Sequence, residues 1–313
     1  MTRRRALACA AFLLPGLTGG QEAGVAAPAA ARFQTVRFED GEPASLLWDA
    51  ARGRLVIADN ENNQLWAWSD SAGLEKLATT PDPLDAQAAR ATLVGQVVEL
   101  SDGTFVVARF GKPGGGYGGI VSVNPSTGAS GVVPNLDPNR KRIGLALAED
   151  GTLVGSYFHA AAGGGLEGAV TRVGLTTGET DLAPGFKKIV GVVADGDNLY
   201  VSDQPADAIY VLPLRGPMPG PGSYRVFARL PRPDQLALGP DGTLFTGQFQ
   251  AAPGSSAPLA VRQILKDGTV KVFAQDPDVS RPSGVAYDPK RRRLFVANGG
   301  NPAQRSVRIF PVP

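Results

Sequence analysis

The stretch LVIADN at residues 55–60 is one of six similar runs in this chain, and these runs decide the fold. In each run, apolar residues are followed by a small residue and then a polar one. The other runs are FVVARF at 105–110, LVGSYF at 153–158, LYVSDQ at 199–204, LFTGQF at 244–249 and LFVANG at 294–299. Equivalent positions are 50, 48, 46, 45 and 50 residues apart. A period of this size predicts a repeat architecture, either a solenoid or a propeller.

Each repeat contains further β-rich runs that turn residues separate. The fifth repeat has four of them, at 233–240, 242–249, 259–266 and 268–275, which is the pattern of an antiparallel meander. Short dipeptides that favour tight hairpins fall between the first and second runs and between the third and fourth runs. They are Asp102-Gly103, Asp150-Gly151, Asp241-Gly242, Thr127-Gly128, Thr177-Gly178 and Asp267-Gly268.

The last repeat lacks a fourth strand, because the sequence given stops at Pro313, just after the third. The segment from Phe33 to Phe38 matches the fourth-strand pattern and precedes the first repeat. We expect it to complete the last sheet and close a ring, which removes open sheet edges. The sequence therefore predicts an all-β, six-bladed β-propeller with four-stranded antiparallel blades, forming a single domain over residues 28–313.

The segment before this domain has the features of a secretory signal. Arg3, Arg4 and Arg5 precede a short apolar stretch, Ala6 to Leu14, and small residues follow it. We assign residues 1–27 as a signal peptide and expect an exported protein, periplasmic or extracellular. No stretch of the sequence has the roughly 18 to 20 apolar residues of a membrane span.

Composition excludes several kinds of chemistry. Cys9 is the only cysteine and lies in the predicted signal, so the mature chain would have no disulfide, thiolate nucleophile or cysteine metal site. His159 is the only histidine, and no nucleophile-elbow motif is present, so a serine triad lacks support. The formal net charge is +2 without a basic stripe, which makes nucleic acid an unexpected partner.

The end of each second strand and the start of each first strand should meet at one mouth of the central channel. By the repeat alignment the first strands begin near Ala44, Gly95, Ile143, Val190, Asp234 and Ser283. The small residue before each polar position fits a crowded place beside the innermost strand. Long loops at 111–119, 159–168 and 250–258 rim this mouth, where binding residues are common. The candidate ligand-binding residues are Asp59, Arg109, Tyr157, Asp203, Asp234, Gln248 and Asn298.

A purely structural interpretation of these polar residues is also open. They could solvate the channel and tie the blades together, with Arg109 neutralised by Asp59 or Asp203. His159 fits a surface loop. The three tryptophans, Trp48, Trp66 and Trp68, fit packing between sheets better than a stacking platform for a ligand.

Three phrases carry a family resemblance that extends over the whole predicted mature chain. They are PASLLWDAARGRLVIADN at 43–60, VGVVADGDNLYVSDQ at 190–204 and RPSGVAYDPKRRRLFVAN at 281–298. They resemble the senescence-marker-protein/gluconolactonase family and the related NHL-type six-bladed propellers. The resemblance implies a single divalent cation at the channel mouth, held by one Glu, two Asn and one Asp.

Of the four ligand positions that the resemblance implies, only Asp203 has a side chain that can bind a cation. The other three fall on Ala44, Ile143 and Val190. Hard cations need a cage of oxygen atoms, so we expect no cofactor and no metal at the family position. The alternative is one divalent cation such as Ca²⁺ at a different site formed by Asp203, Asp59 and Asp234.

Two functions follow from these observations. The first is a non-catalytic exported propeller that binds a small polar ligand or a protein at the channel mouth. The second is a hydrolase or lactonase with a rearranged carboxylate site, in which Asp203, Asp59 or Asp234 activates water. Arg109 and Tyr157 would then stabilise the oxyanion.

Overall fold

The computed structural model describes residues 33–82, 93–111, 118–251, 253–275, 278–300 and 302–313. These residues form six blades of four antiparallel strands each, arranged in a ring. The predicted six-bladed β-propeller is therefore confirmed. The predicted signal peptide, residues 1–27, lies outside the described residues.

The first three blades follow one another along the chain, each starting at the channel and ending at the outer surface. Blade one contains β2 (Pro43–Asp49), β3 (Arg54–Asp59), β4 (Gln64–Ser69) and β5 (Gly73–Thr79). Blade two contains β6 (Leu93–Glu99), β7 (Phe105–Gly111), β8 (Gly119–Val123) and β9 (Ser130–Val132). Blade three contains β10 (Lys141–Leu147), β11 (Leu153–Ala160), β12 (Leu166–Gly174) and β13 (Gly178–Phe186).

The other three blades repeat this order. Blade four contains β14 (Ile189–Asp195), β15 (Asn198–Asp203), β16 (Ala208–Pro213) and β17 (Arg225–Arg229). Blade five contains β18 (Leu236–Leu238), β19 (Leu244–Thr246), β20 (Ala260–Ile264) and β21 (Val270–Gln275). Blade six contains β22 (Pro282–Asp288), β23 (Arg293–Asn298), β24 (Ser306–Pro311) and β1 (Gln34–Arg37). Single-turn 3-10 helices lie at Gln204–Ala206, Pro240–Gly242 and Pro302–Gln304.

The N-terminal strand closes the ring as expected. Strand β1 pairs antiparallel with β24, and Val36 lies opposite Val307. Blade six is thus assembled from both ends of the described chain, which leaves β24 with a partner on each side. Without β1 this strand would present unpaired backbone groups at a sheet edge.

The tight hairpins adopt the backbone conformations that their sequences favour. The glycine of every predicted dipeptide has a positive φ, a region that glycine enters without the steric cost that a Cβ atom imposes. These glycines are Gly103, Gly128, Gly151, Gly178, Gly242 and Gly268.

The apolar core lies between the blades rather than at the centre. Six clusters of buried residues fill the six interfaces between neighbouring blades. Each sheet is apolar on both faces, which explains why the second strands are continuous apolar runs. In β3, for example, Leu55, Val56 and Ile57 are all at most 1% exposed. Val56 packs toward blade two and Ile57 toward blade six.

The tryptophans stabilise the interface where the ring closes. The ring of Trp48 stacks on that of Phe295 from blade six, with ring centres 5.5 Å apart and planes within 13°. Trp68 meets the same phenylalanine edge-on, and Trp66 meets Phe38 edge-on. All three tryptophans therefore pack between sheets, as the sequence analysis favoured.

Neighbouring first strands approach each other closely around the channel. A Cβ atom on Gly95 would lie 2.3 Å from the carbonyl oxygen of Ile143 in blade three. A Cβ atom on Gly284 would lie 2.5 Å from the carbonyl oxygen of Ala44 in blade one. Glycine at these positions is what allows the inner ring to be this narrow. In the part of the chain that the structure describes, no helix is long and apolar enough to cross a membrane.

Candidate functional site

A cavity of about 140 Å³ lies at the channel end where the first strands begin. It is lined by five of the six residues at which the sequence predicts those strands to start, namely Ala44, Ile143, Val190, Asp234 and Ser283. In blade two the first-strand residues Leu93 and Val94 line it instead of the expected Gly95. The channel mouth is therefore where the repeat alignment puts it. The rim loops 111–119 and 250–258 lie partly outside the described residues.

A β-bulge shapes the wall of this cavity. In blade four, Ile189 is opposite Asp203 and Gly191 is opposite Ser202, so Val190 is an extra residue on the first strand. The register shifts at the same place in blades one, two, three and six. Bulges at sheet edges change the direction of a side chain, and here the bulged residue lines the cavity.

Three of the predicted site residues hold backbone segments. The carboxylate of Asp203 accepts hydrogen bonds from the backbone N–H groups of Lys187 and Lys188, at 2.9 and 3.0 Å. Asp59 accepts one at 3.0 Å from the N–H of Glu42, and Asn298 plays the same part in blade six. Each side chain therefore fixes the segment that leads into the first strand of its own blade.

Arg109 is fully buried and faces the connection between blades one and two. Its guanidinium donates hydrogen bonds of 2.8 Å to the hydroxyl of Thr80 and 3.0 Å to the carbonyl oxygen of Pro81. Among the described residues Arg109 forms an ion pair with Asp82, at 3.3 Å, and none with Asp59 or Asp203, which the structural interpretation supposed. Burial lowers the pKa of Arg109, and the attraction to Asp82 opposes that shift.

Tyr157 and Gln248 are also buried outside the cavity lining. The Tyr157 hydroxyl donates a 2.8 Å hydrogen bond to Asp181, and the guanidinium of Arg140 stacks 3.8 Å from the ring centre. Burial and the contact with Asp181 raise the pKa of Tyr157 to about 12. The side-chain oxygen of Gln248 is buried without a hydrogen-bond partner among the described residues.

Asp234 is the one predicted site residue that lines the cavity. Its backbone N–H contacts the carbonyl oxygen of Gly247 and the hydroxyl of Thr246, at 3.0 and 3.1 Å, so blade five holds it rigidly. Burial raises the pKa of its carboxyl group to about 7, against the attraction of Lys188 and a backbone hydrogen bond from Gln235. A carboxyl group that titrates near neutral pH in a cleft is a candidate functional group.

Most of the lining side chains were not predicted. Asn60, Phe110, Gln204 and Phe249 each follow directly after one of the predicted polar positions. Both faces of a blade are covered by its neighbours, so the last residue of the second strand points into a blade interface. The next residue, where the chain leaves the sheet, lies over the mouth. The final letter of each repeated run is the signal that could have identified these residues.

Lys188 is the cationic residue of the cavity lining. Its ammonium nitrogen donates a 2.8 Å hydrogen bond to the side-chain oxygen of Gln204 and lies 5.6 Å from the ring centre of Phe158. Burial lowers the pKa of Lys188; the charge of Asp234 opposes this shift, while Arg232 and Lys141 add to it. The sequence analysis missed Lys188 because it precedes the first strand rather than ending the second.

The opposite wall carries a network from blades one and six. Asn60 donates a 3.3 Å hydrogen bond to the carboxylate of Glu42, and its side-chain oxygen accepts one of 3.0 Å from the N–H of Val94. Arg281 lies 3.7 Å from Glu42, and its guanidinium stacks 3.9 Å from the ring centre of Phe249. These contacts connect blade one to both of its neighbours beside the cavity.

The residues at the implied cation position do not fit the family's metal cage. Ala44, Ile143 and Val190 line the cavity but have no side-chain ligand atoms. Asp203 is outside the lining, and its two oxygen atoms accept backbone hydrogen bonds. Within the described ranges, no three His, Cys, Asp or Glu side chains converge as a metal site requires. We therefore derive no chemistry through a metal ion.

A larger cavity of about 690 Å³ occupies the other end of the channel. Its walls are aliphatic residues of the first strands, such as Leu145 and Leu236. Its charged rim residues pair with one another, because Arg52 contacts both Asp49 and Glu99. This cavity therefore offers fewer unpaired groups for recognition than the one at the predicted mouth.

Comparisons with known proteins agree with this architecture. A family model described as SMP-30/Gluconolactonase/LRE-like region matches residues 43–299. A gluconolactonase structure from Xanthomonas campestris is 18% identical over 90% of each chain, with a TM-score of 0.66. The calcium-binding protein regucalcin from Agrobacterium tumefaciens is 15% identical, covering 89% of this chain and 93% of that one, with a TM-score of 0.65. No curated protein matches the sequence significantly. At these identities the solved structures support the fold alone.

Proposed function

Because the chain belongs to the SMP-30/gluconolactonase/LRE-like family, we propose that it is an exported propeller that binds a small polar ligand at the channel mouth without a metal ion. The observation that carries this proposal is the 140 Å³ cavity in which Lys188, Asp234 and Gln204 converge beside Phe110 and Phe249. Concave sites with apolar walls and a few converging polar groups are typical of small-molecule recognition.

The shape of the site favours a small molecule over a protein partner. A protein interface buries roughly 800 Å² on each side, whereas this site is a narrow recess. An engineered cavity of about 150 Å³ holds one benzene molecule. The recess therefore suits a ligand with about as many non-hydrogen atoms as benzene, or one such group of a larger molecule.

The proposal that the ligand binds without a metal ion rests on the side chains that line the cavity. Aliphatic side chains occupy the implied cation position, and the ammonium group of Lys188 lines the same cavity. A fixed positive charge in a low-dielectric site repels a second cation.

The proposal that the protein is exported rests on the sequence of residues 1–27. Fractionation of cells that express the full chain would test it.

A cavity-filling variant tests ligand binding. We expect Ala44→Leu to block the recess and Ala51→Leu, at the other end of the channel, to leave it open. The measurement is the melting temperature of the wild type and both variants with a panel of small polyols, lactones, amides and acids. Compounds that stabilise the wild type and Ala51→Leu but not Ala44→Leu would support the proposal. Equal shifts in all three proteins would overturn it.

A second candidate function is metal-independent lactone hydrolysis, which the environment of Asp234 favours. Its carboxylate would accept a proton from water as the water oxygen attacks the lactone carbonyl carbon. The ammonium of Lys188 would stabilise the oxyanion, and the leaving ring oxygen would receive the proton as the C–O bond breaks. Asp234→Asn should then lower hydrolysis of an aldonolactone by about 10²- to 10⁴-fold in the presence of EDTA. Asp102→Asn, in an exposed hairpin, is the control. Unchanged hydrolysis in Asp234→Asn would exclude this function.

A further inference from the structure

We infer that the ligand of the mouth cavity is a small organic monocarboxylate, which binds against Lys188 while Asp234 takes up one proton from solvent. This inference rests on the proposed function and names the ligand class of that same site.

Four cationic side chains, Lys188, Arg281, Lys141 and Arg232, act on the charged groups of this cavity. Lys188 and Arg281 attract the carboxylate of Asp234, and Lys141 and Arg232 are close enough to repel Lys188. The other lining carboxylate, Glu42, is already paired with Arg281. An anionic ligand would relieve the repulsion among these cations, whereas a cationic ligand would add to it.

Lys188 and Asp234 face the same cavity without contacting each other directly. Both side chains line the cavity and attract each other, yet no direct ion pair joins them in the described structure. The ammonium of Lys188 has three hydrogen-bond donors, and one of them contacts Gln204. A ligand carboxylate bound beside the ammonium of Lys188 would receive charge-assisted hydrogen bonds from its other donors.

Proton uptake follows from the approach of two carboxylates. A ligand carboxylate next to Lys188 would bring a second negative charge close to buried Asp234, and two such groups share a proton. Protonated Asp234 could donate a hydrogen bond to the ligand instead of repelling it. Because burial already raises the pKa of Asp234 to about 7, this protonation needs little free energy near neutral pH.

The remaining walls favour a compact apolar body. Phe110, Ile143, Val190 and Phe249 line the cavity around the charged groups. The volume is close to that of a cavity that holds benzene. Benzoate, whose ring matches this volume, is the probe, and its neutral isostere benzamide provides a matched probe of charge.

The experiment is isothermal titration of the full chain with benzoate and benzamide, at pH 6 to 8.5 and in two buffers of different ionisation enthalpy. We expect benzoate to bind at least tenfold more tightly than benzamide. Above about pH 7 its affinity should fall up to tenfold per pH unit, with uptake of about one proton per ligand.

Substitutions of Lys188 and Asp234 show which residue causes the preference for benzoate and which causes the pH dependence. Lys188→Met should lose at least tenfold in benzoate affinity, while Lys187→Met, at the exposed neighbouring lysine, should not. If the methionine variant fails to fold, Lys188→Gln, which keeps a polar group beside Gln204, replaces it and should show the same loss of affinity. Asp234→Asn should bind benzoate with no pH dependence and no proton uptake.

Three results would overturn the inference. Equal binding of benzoate and benzamide would reject the anionic ligand class but leave ligand binding at the mouth in place. A benzoate affinity independent of pH in the wild type would reject proton uptake by Asp234. No binding of benzoate at millimolar concentration would reject the inference as a whole, whereas the proposed function would fail only in the cavity-filling test.

Discussion

The hydroxyl group of Ser202 donates a 2.7 Å hydrogen bond to the backbone carbonyl oxygen of Asp234 in the next blade. The same oxygen atom of Ser202 accepts a 2.8 Å hydrogen bond from the N–H of Gly191 in its own blade. One small side chain near the end of a second strand thus positions the bulge of blade four and the backbone of the cavity-lining Asp234 in blade five. Ser156 makes the equivalent bridge from blade three to blade four.

The first prediction concerns this bridge. Ser202→Ala should lower the free energy of unfolding by about 1 to 3 kcal/mol, because it leaves a buried N–H and a buried carbonyl oxygen without a partner. Denaturant unfolding measures the change. Ser71→Ala, at an exposed serine, should stay within about 0.5 kcal/mol of the wild type. A Ser202→Ala variant as stable as the wild type would show that the bridge contributes nothing.

The second prediction concerns crowding at the small positions of the repeat. Ala108 and Ala297 are fully buried. Replacing either with Leu should cost about 1 to 3 kcal/mol of stability, because the added methylene groups overpack the blade interface. Ala129→Leu, in an exposed hairpin, is the matched control. Equal stability of all three variants would argue against tight packing here.

The third prediction tests ring closure. A chain that begins at Asp40 lacks β1 and leaves β24 with an open edge, so we expect insoluble or aggregated protein. A chain that begins at Arg32 keeps the strand and should remain soluble. Solubility and cooperativity of unfolding are the measurements. A shorter chain that is soluble and unfolds cooperatively would show that the other strands suffice.

The fourth prediction concerns pH and Asp234. Its pKa of about 7 in the folded state exceeds the ordinary value of 3.8, so the folded protein holds a proton that the unfolded chain has lost. The stability from this group is therefore complete below about pH 4 and declines up to pH 7, by at most about 1.4 kcal/mol per pH unit. The stability difference between the wild type and Asp234→Asn should change across this window.

The control for this pH effect is Asp102→Asn. A backbone hydrogen bond from Thr104 lowers the pKa of Asp102, so its contribution changes only below about pH 4. The difference between this variant and the wild type should be constant from pH 4 to 7. If the stability difference between the wild type and Asp234→Asn is also constant from pH 4 to 7, the assignment to Asp234 is wrong.

The fifth prediction concerns metal ions. Millimolar Ca²⁺ or Zn²⁺ should leave the melting temperature unchanged, because the donor set does not form a cage. A cation at 100 times its dissociation constant would add about 2.7 kcal/mol to stability, which a melting curve detects. A shift that Asp203→Ala or Asp234→Asn abolishes would instead identify a relocated metal site and favour the hydrolase.

Several features of the fold were predictable because neighbouring residues encode them. The period of the runs from LVIADN to LFVANG predicted six blades, and the hairpin glycines predicted the turns between strands. The match of residues 33–38 to a fourth strand predicted closure, which the pairing of Val36 with Val307 confirms. Each run, turn and strand pattern is itself a short segment, and the number of blades follows from how often the run recurs.

The position of the cavity at the channel mouth was predictable, but most of the side chains that line it were not. The alignment of first strands correctly selected Ala44, Ile143, Val190 and Ser283 as lining positions. The alignment of the second strands led to Asp59, Arg109 and Asp203, whose side chains do not line the cavity but form hydrogen bonds behind its wall. The bulges depend on contacts between blades, and so does the fact that the residue after a second strand, not its last residue, lines the cavity. The repeat pattern does not reveal these contacts.

The sequence by itself determined the number of blades, their strand order and the closure of the ring, because apolar periodicity and turn chemistry are local properties. Only the tertiary structure decided that Lys188 and Asp234 share one cavity while Asp203 holds a backbone segment. These two residues are 46 positions apart in the chain. They meet because blades four and five pack side by side, with the bridge from Ser202 fixing the backbone of Asp234.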